Sequence, residues 1–116
     1  MAYYECTGGA SDITNLLLDA ALPENSNYTV STNLSGKSVL ICLFTFTWDD
    51  IYYRGNCYKA VYMDITNGEN LGISYEAHLI VTGGYTGVYI TPSSSKIVFK
   101  AYVHDKALIL NRVIVI

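Results

Sequence analysis

The segment Ser38-Val-Leu-Ile-Cys-Leu-Phe-Thr-Phe-Thr-Trp48 decides the fold class of this chain. Alternate residues of a strand fall on the same face, and one face of this segment is apolar throughout. That face consists of Leu40, Cys42, Phe44, Phe46 and Trp48. The other face is apolar through Val39, Ile41 and Leu43 and turns polar at Thr45. Since such two-sided apolarity is typical of buried strands, the segment predicts a central strand that is covered on both sides.

Further strand patterns flank this segment along the chain. The predicted strands cover residues 28–32, 38–48, 57–66, 73–81, 88–91, 96–104 and 107–116. Residues 13–22 are also apolar, but a run this short fits a helix as well as a strand. The pattern predicts an all-β fold, an antiparallel β-sandwich that is jelly-roll-like and has roughly seven to eight strands.

Turn chemistry separates the predicted strands. Residues 49–56 and 83–87 are predicted to be a loop and a turn, and Asn67-Gly68 is a favoured hairpin signal. Ser35-Gly36-Lys37-Ser38 has the ending of a phosphate-binding loop, but a serine replaces that motif's first glycine and a strand pattern follows it. We interpret this segment as a turn.

Charged residues are scarce in this sequence. The 7 basic and 10 acidic residues make 17 among 116, whereas an average domain of this length has about 29. The surface is therefore covered by neutral polar groups or partly buried against another chain. The net charge of −3 argues against nucleic acid as a partner, because sequence-independent binding needs a basic surface.

The sequence predicts one domain with a short extension. Residues 1–12 are small and polar and include Gly8-Gly9, which indicates a flexible or partner-ordered N-terminal arm. Residues 13–116 form the predicted sandwich domain. The first six residues lack the pattern of a signal peptide, and the longest apolar run, 39–44, is too short to cross a bilayer. We expect a soluble chain made in a cytosol, without membrane insertion.

No constellation of residues points to catalysis, so the prediction is a protein that is not an enzyme and has no cofactor. Cys6, Cys42 and Cys57 lack the spacing of a zinc site, and Cys42 is expected to be a buried thiol. His78 and His104 are expected on the polar faces of their strands. No nucleophile elbow occurs in the sequence.

A calcium site is one alternative for the acidic residues. Asp49 and Asp50 are neighbours, and Asp64 or Glu69 could join them, since calcium prefers oxygen ligands. No calcium-loop pattern supports this grouping. The prediction is therefore a solvated loop and no metal site.

The loop around residues 48–58 is the best candidate for a ligand site, because it mixes aromatic and polar residues as recognition surfaces and sugar platforms do. The candidate ligand-binding residues are Trp48, Asp49, Asp50, Tyr52, Tyr53, Arg54, Asn56 and Tyr58. The alternative is that Tyr52 or Tyr58 simply caps the end of the sandwich.

The order of segments resembles a known class of domain. An apolar segment from Leu16 leads to a Pro/Asn/Ser loop, then Tyr28-Thr-Val-Ser-Thr32, a Leu-Ser turn and the apolar run 39–44. The chain closes on Asn111-Arg-Val-Ile-Val-Ile116. This cadence, over residues 13–116, is similar to small β-rich structural domains of tailed bacteriophages and prophages, in tail fibres, receptor-binding proteins and head decorations.

The resemblance implies a non-enzymatic structural or attachment protein of a virion, made in the host bacterial cytoplasm. It also implies a homo-oligomer, commonly a homotrimer, with other virion proteins as partners. The low charge and the apolar strand at residues 112–116 separately indicate self-association, and Tyr3, Tyr4 and Cys6 of the arm are expected to contact a neighbouring protein. The alternative function is a lectin-like module that binds a cell-surface glycan through the loop at 48–58.

Overall fold

The computed structural model describes residues 13–49, 54–81, 84–103 and 108–116, and this part of the chain forms two antiparallel four-stranded sheets. The strands are β1 (Thr14–Ala21), β2 (Asn27–Ser31), β3 (Val39–Asp49), β4 (Arg54–Asp64), β5 (Tyr75–Val81), β6 (Gly84–Pro92), β7 (Lys96–Val103) and β8 (Leu108–Val115). Sheet A has the order β1-β8-β3-β4 and sheet B the order β2-β7-β6-β5. The all-β antiparallel sandwich is confirmed. The predicted arm, residues 1–12, lies outside the described residues.

The first strands of the domain pair with the last ones. In sheet A, β1 pairs with β8, and in sheet B, β2 pairs with β7, as in a jelly roll, whereas β3–β4 and β5–β6 are plain hairpins. Pairing with β8 decides the open question at residues 13–22, which contain a strand. In the described part of the chain, no helix has the length and apolarity needed to cross a membrane.

Strand β3 is central, as predicted, but it is covered on one side alone. Its inner side chains, such as Leu40 and Phe44, are at most 2% exposed. The outer side chains Val39, Ile41 and Leu43 are half-buried, because sheet B packs on the inner face of sheet A and no described segment lies over the outer one. The prediction of a doubly covered strand is therefore wrong.

The core fills the space between the two inner faces. Phe44 of β3 meets Phe99 of β7 with ring centroids 6.2 Å apart and planes at 76°, the edge-to-face arrangement that aromatic pairs favour. Leu34 and Ile65, in the segments that connect the sheets, are fully buried. The sandwich is thus closed by apolar side chains from loops as well as from strands.

A β-bulge interrupts β8 at Asn111. The register of β3 pairs Leu43 with Arg112 but Phe44 with Leu110, which leaves Asn111 as the extra residue. Its amide nitrogen donates to Asp19 on β1 at 2.9 Å, and its amide oxygen accepts from the Thr45 hydroxyl on β3. The bulge therefore creates a polar link across three strands and turns two consecutive residues outward.

Three local predictions differ from the structure. Residues 84–87 belong to β6 and do not form a turn, because they pair with β5 as far as Gly84. Asn67 and Gly68 both have positive φ, 57° and 83°, but their turn connects sheet A to sheet B and does not close a hairpin. The predicted strand at 73–81 begins at Tyr75, and Ile73 is 59% exposed.

The burial of Cys42 predicts a thiol of low reactivity. Burial raises the pKa of this thiol from 9.0 to about 12, so the folded state favours the protonated form. The resulting contribution to stability is complete below pH 9.0 and is lost as the pH rises towards 12. With Cys6 and Cys57 changed to serine, we expect no reaction with a thiol reagent at pH 9 until urea unfolds the chain, since the thiolate is the reactive form. Equal rates with and without urea would contradict the buried position.

Candidate functional site

The structure changes the shape of the predicted ligand loop at 48–58. Asp49 pairs with Arg54 and Trp48 with Gly55, so β3 and β4 remain paired as far as Asp49 and Arg54, and residues 54–58 are strand. Asp50, Tyr52 and Tyr53 lie outside the described residues. The backbones of Trp48, Asp49 and Arg54 belong to the paired strands, and the side chains of Asn56 and Tyr58 are exposed. The predicted set therefore lies mainly along a hairpin.

The proposed calcium grouping is not brought together. Asp49 pairs with Arg54 at one end of the hairpin, whereas Asp64 pairs with Val39 at the other, about 33 Å away at the rise of a strand. The Asp64 carboxylate instead accepts a hydrogen bond from the Thr66 backbone N–H at 3.0 Å, which lowers its pKa. Among the described residues, no three His, Cys, Asp or Glu side chains cluster as metal ligands would.

The outer face of sheet A is a broad apolar surface. Cross-strand pairing places its side chains in three rows, each of which crosses all four strands. The rows are Asn15-Ile114-Ile41-Tyr62, Leu17-Arg112-Leu43-Ala60 and Ala21-Ile109-Thr45-Tyr58. We call this surface the sheet A face. Arg112 is the charged residue in these rows, and Leu17, Tyr62 and Tyr58 are 68%, 68% and 74% exposed.

The structure partly corrects the interpretation of the C-terminal residues. Strand β8 lies between β1 and β3, so it offers no free edge for pairing with another chain. Val113 and Val115 are buried in the core, and Ile114 alone of the Val-Ile-Val run faces outward. The C-terminal strand contributes to a partner surface through the sheet A face.

The outer face of sheet B is different in character, because it is polar and aromatic. Register places Glu76, Tyr89, Lys100 and Asn27 in one row across β5, β6, β7 and β2. Beside this row lies an open groove of about 450 Å³. Its lining consists of Asn27, Ser74, Tyr89, Thr91, Val98 and Lys100. We call it the Tyr89 groove.

A hydrogen-bonded group supports one side of Tyr89. The Tyr102 ring lies 4.7 Å from the Tyr89 ring, between centroids, and its hydroxyl donates to the Glu76 carboxylate. The His78 Nε2 atom lies 3.1 Å from the same carboxylate. The Tyr102 hydroxyl, and after it the His78 ring, lower the pKa of Glu76. His78 is exposed, as predicted, whereas His104 lies outside the described residues.

Gly87 is what allows Tyr102 to take this position. The bulge on β7, which leaves Tyr102 as the extra residue opposite Gly87 and Val88, brings the Tyr102 ring over the glycine, where an added Cβ would overlap the end of the ring. In Gly87→Ala we expect the ring to move away, the Tyr102–Glu76 hydrogen bond to break and the pKa of Glu76 to rise towards its usual value. NMR titration of the Glu76 side chain measures this rise. Tyr102→Phe should raise that pKa as well, and an unchanged pKa in both variants would contradict the role of the hydroxyl.

A smaller cavity of about 190 Å³ lies where β4 approaches β5, between Tyr62 and Tyr75. Sequence reasoning missed this cavity and the Tyr89 groove. The available signal was the alternation of Ser74, Glu76 and His78 with apolar residues, which indicates a polar face but not what lies beside it. The groove needs the register of four strands, which no local pattern contains.

We found no match to this chain among models of protein families, curated proteins or solved structures.

Proposed function

We propose that this chain is a non-enzymatic structural subunit that self-associates through the sheet A face. The observation that carries the proposal is the composition of that face, whose three rows contain Arg112 as their charged member. Asp19 and Asn111 lie between two of these rows, at the bulge. Large apolar side chains on it, Leu17 and Tyr62, are each 68% exposed. Contiguous apolar patches of this kind mark surfaces that contact other molecules.

The size of the face suits a second copy of the chain. Four strands about 4.8 Å apart and eight residues long span about 19 Å by about 26 Å. The flat area of the face is therefore on the order of 500 Å². Because side chains project from it, its accessible area is larger, closer to the value of about 800 Å² that each partner buries in a standard interface. Contact between two copies through this face would therefore bury an area that approaches that of a standard interface.

The polar groups of the face are compatible with burial. Asn111 bonds to both Asp19 and Thr45, so the Asn111 amide and the Thr45 hydroxyl already have partners and lose little when water is excluded. The Asp19 carboxylate also needs a cation, because a buried charge is costly unless it is paired. Arg112 forms no ion pair with a described residue. A self-complementary contact that brings Asp19 of one copy to Arg112 of the other would satisfy the guanidinium group.

We also propose a virion component of a tailed bacteriophage or prophage as the biological setting, on the resemblance of residues 13–116 to small β-rich phage domains. In that setting the subunit is made in the host bacterial cytoplasm and assembles with other virion proteins. The two-fold contact of the sheet A face gives a dimer, so the homotrimer that the resemblance implies would use a further surface. An attachment role is supported by the exposed Asn56 and Tyr58, which belong to the predicted glycan-binding set. Tyr58 also belongs to the sheet A face, so self-association and glycan binding would compete for it.

Sedimentation velocity tests the self-association directly. We expect the 12.8 kDa chain to sediment as a multiple of that mass at micromolar concentration and to dissociate on dilution. High salt should weaken this association little, because apolar contacts are not screened as surface charges are. A chain that stays monomeric into the millimolar range would overturn the proposal.

A further inference from the structure

We propose that the Tyr89 groove binds a saccharide that carries a carboxylate. The groove lies on the outer face of sheet B, on the opposite side of the sandwich from the sheet A face. The inference goes beyond the proposed self-association, because neither surface contributes a residue to the other. Oligomers formed through sheet A would leave the groove open.

The size and lining of the groove fit a sugar ring. Its volume of about 450 Å³ lies within the range of small-molecule sites, about 300–1,000 Å³. The Asn27 amide and the Ser74 and Thr91 hydroxyls both donate and accept hydrogen bonds, as sugar hydroxyls require. The lining thus combines a mainly apolar surface with a few hydroxyl and amide groups, and a sugar ring can use both by stacking and by hydrogen bonds.

Tyr89 supplies the stacking surface. One side of its ring is backed by Tyr102, 4.7 Å away between centroids, and Tyr102 is in turn fixed by its hydrogen bond to Glu76. Tyr102 lies over Gly87, two residues before Tyr89 on β6, whereas the groove is lined by Thr91, two residues after it, so the groove lies on the other side of Tyr89. A tyrosine combines an apolar ring with little conformational freedom to lose, and Val98 extends the apolar area beside it.

Lys100 determines the charge of the ligand. Among the described residues that line the groove, Lys100 is the cation and none carries a carboxylate. It has no ion-pair partner in the described part of the chain. Glu76 stands in the same row, but Tyr89 lies between them and the Glu76 carboxylate is bonded to Tyr102 and His78. The ammonium group is therefore available to a carboxylate of the ligand, which makes a stronger hydrogen bond than a neutral hydroxyl does.

The test uses an array of uronic-acid oligosaccharides, each printed beside its carboxyl-reduced, neutral form, and the full chain as the probe. We expect binding to acidic oligosaccharides and at least tenfold weaker binding to the reduced forms, since a hydrogen bond to a charged group contributes about tenfold or more in affinity. Tyr89→Ala and Lys100→Gln should each lower affinity about tenfold, whereas Tyr89→Phe should retain it. Lys100 is exposed, so Lys100→Gln is expected to unfold at the temperature of the parent protein. Tyr89→Ala loses the contact with the Tyr102 ring and should unfold at a lower temperature, so its binding is measured where circular dichroism shows it to be folded.

Lys96→Gln is the matched control. Lys96 is exposed and lies four residues before Lys100 on the same face of β7, but it does not line the groove, so its loss should leave binding unchanged. Equal losses in the Lys96 and Lys100 variants would show a diffuse charge effect and overturn the site. Equal binding of acidic and reduced sugars would overturn the role of Lys100. Absence of binding to every sugar would overturn the saccharide assignment. Self-association is tested separately, by sedimentation.

Discussion

Replacing Phe44 by alanine is expected to lower the free energy of unfolding by about 3–5 kcal/mol, the cost of emptying a large aromatic site in a core. Phe44 is 1% exposed and contacts Phe99 of the opposite sheet edge to face. The substitution therefore removes packing between the two sheets and leaves a cavity that rigid strands cannot fill. Because domains of this size are stable by about 5–15 kcal/mol, a large fraction of the protein's stability depends on this one ring.

Urea denaturation, followed by circular dichroism, measures the loss. The matched control is Ile73→Ala, because Ile73 is apolar but 59% exposed and outside the strands, and its change should stay within about 0.5 kcal/mol. Both proteins should be measured at a concentration where they are monomeric, since association adds to apparent stability. A loss below about 1 kcal/mol in Phe44→Ala would show that the sheets do not pack through this pair.

The second large effect is expected at the sheet A face. Changing both Leu17 and Tyr62 to lysine should weaken self-association by at least about a hundredfold, because desolvated and unpaired charges cost several kcal/mol in an interface. The two residues lie on the edge strands β1 and β4, so the double variant places charge at both sides of the face. Each is 68% exposed, and the fold of the monomer should therefore be retained.

Thr29→Lys is the control for added charge. Thr29 is exposed on β2 of sheet B, and a lysine there changes net charge without touching the sheet A face. Sedimentation equilibrium should show parental association in this variant and a monomer in the double variant. Parental association in the double variant would exclude the sheet A face as the interface, even if the chain does self-associate.

Strand periodicity explains which parts of the fold were predictable. Leu40 and Phe44 of β3, and Ile97 and Phe99 of β7, are buried as their alternation predicts, because the two-residue period of a strand is a local property. Residues 13–22 were ambiguous by contrast, since the partner that makes them a strand is β8, nearly the whole chain away. Residues 84–87 were misassigned because their glycines resemble a turn, and only pairing with β5 makes them strand.

The candidate sites also differ in how far the sequence could predict them. The residues predicted for ligand binding at 48–58 were chosen for their composition, and composition does not tell whether a segment is a loop or the end of a hairpin. Tyr89 and Lys100 lie in separate, ordinary strand patterns, and nothing near either of them in the sequence indicates a site. Their proximity depends on the register of β6 with β7, which includes a bulge at Tyr102.

The alternation of apolar and polar residues and the composition are local properties, and they were enough to predict an all-β sandwich with few charges and an unusually apolar strand at 38–48. Which face of that strand is covered follows only from the packing of the two sheets. The packing leaves the outer, apolar face of sheet A without any described segment over it. The tertiary structure also decided that four strands place Glu76, Tyr89, Lys100 and Asn27 in one row. Sheet order and register depend on contacts between distant segments, and a pattern within a single strand does not record them.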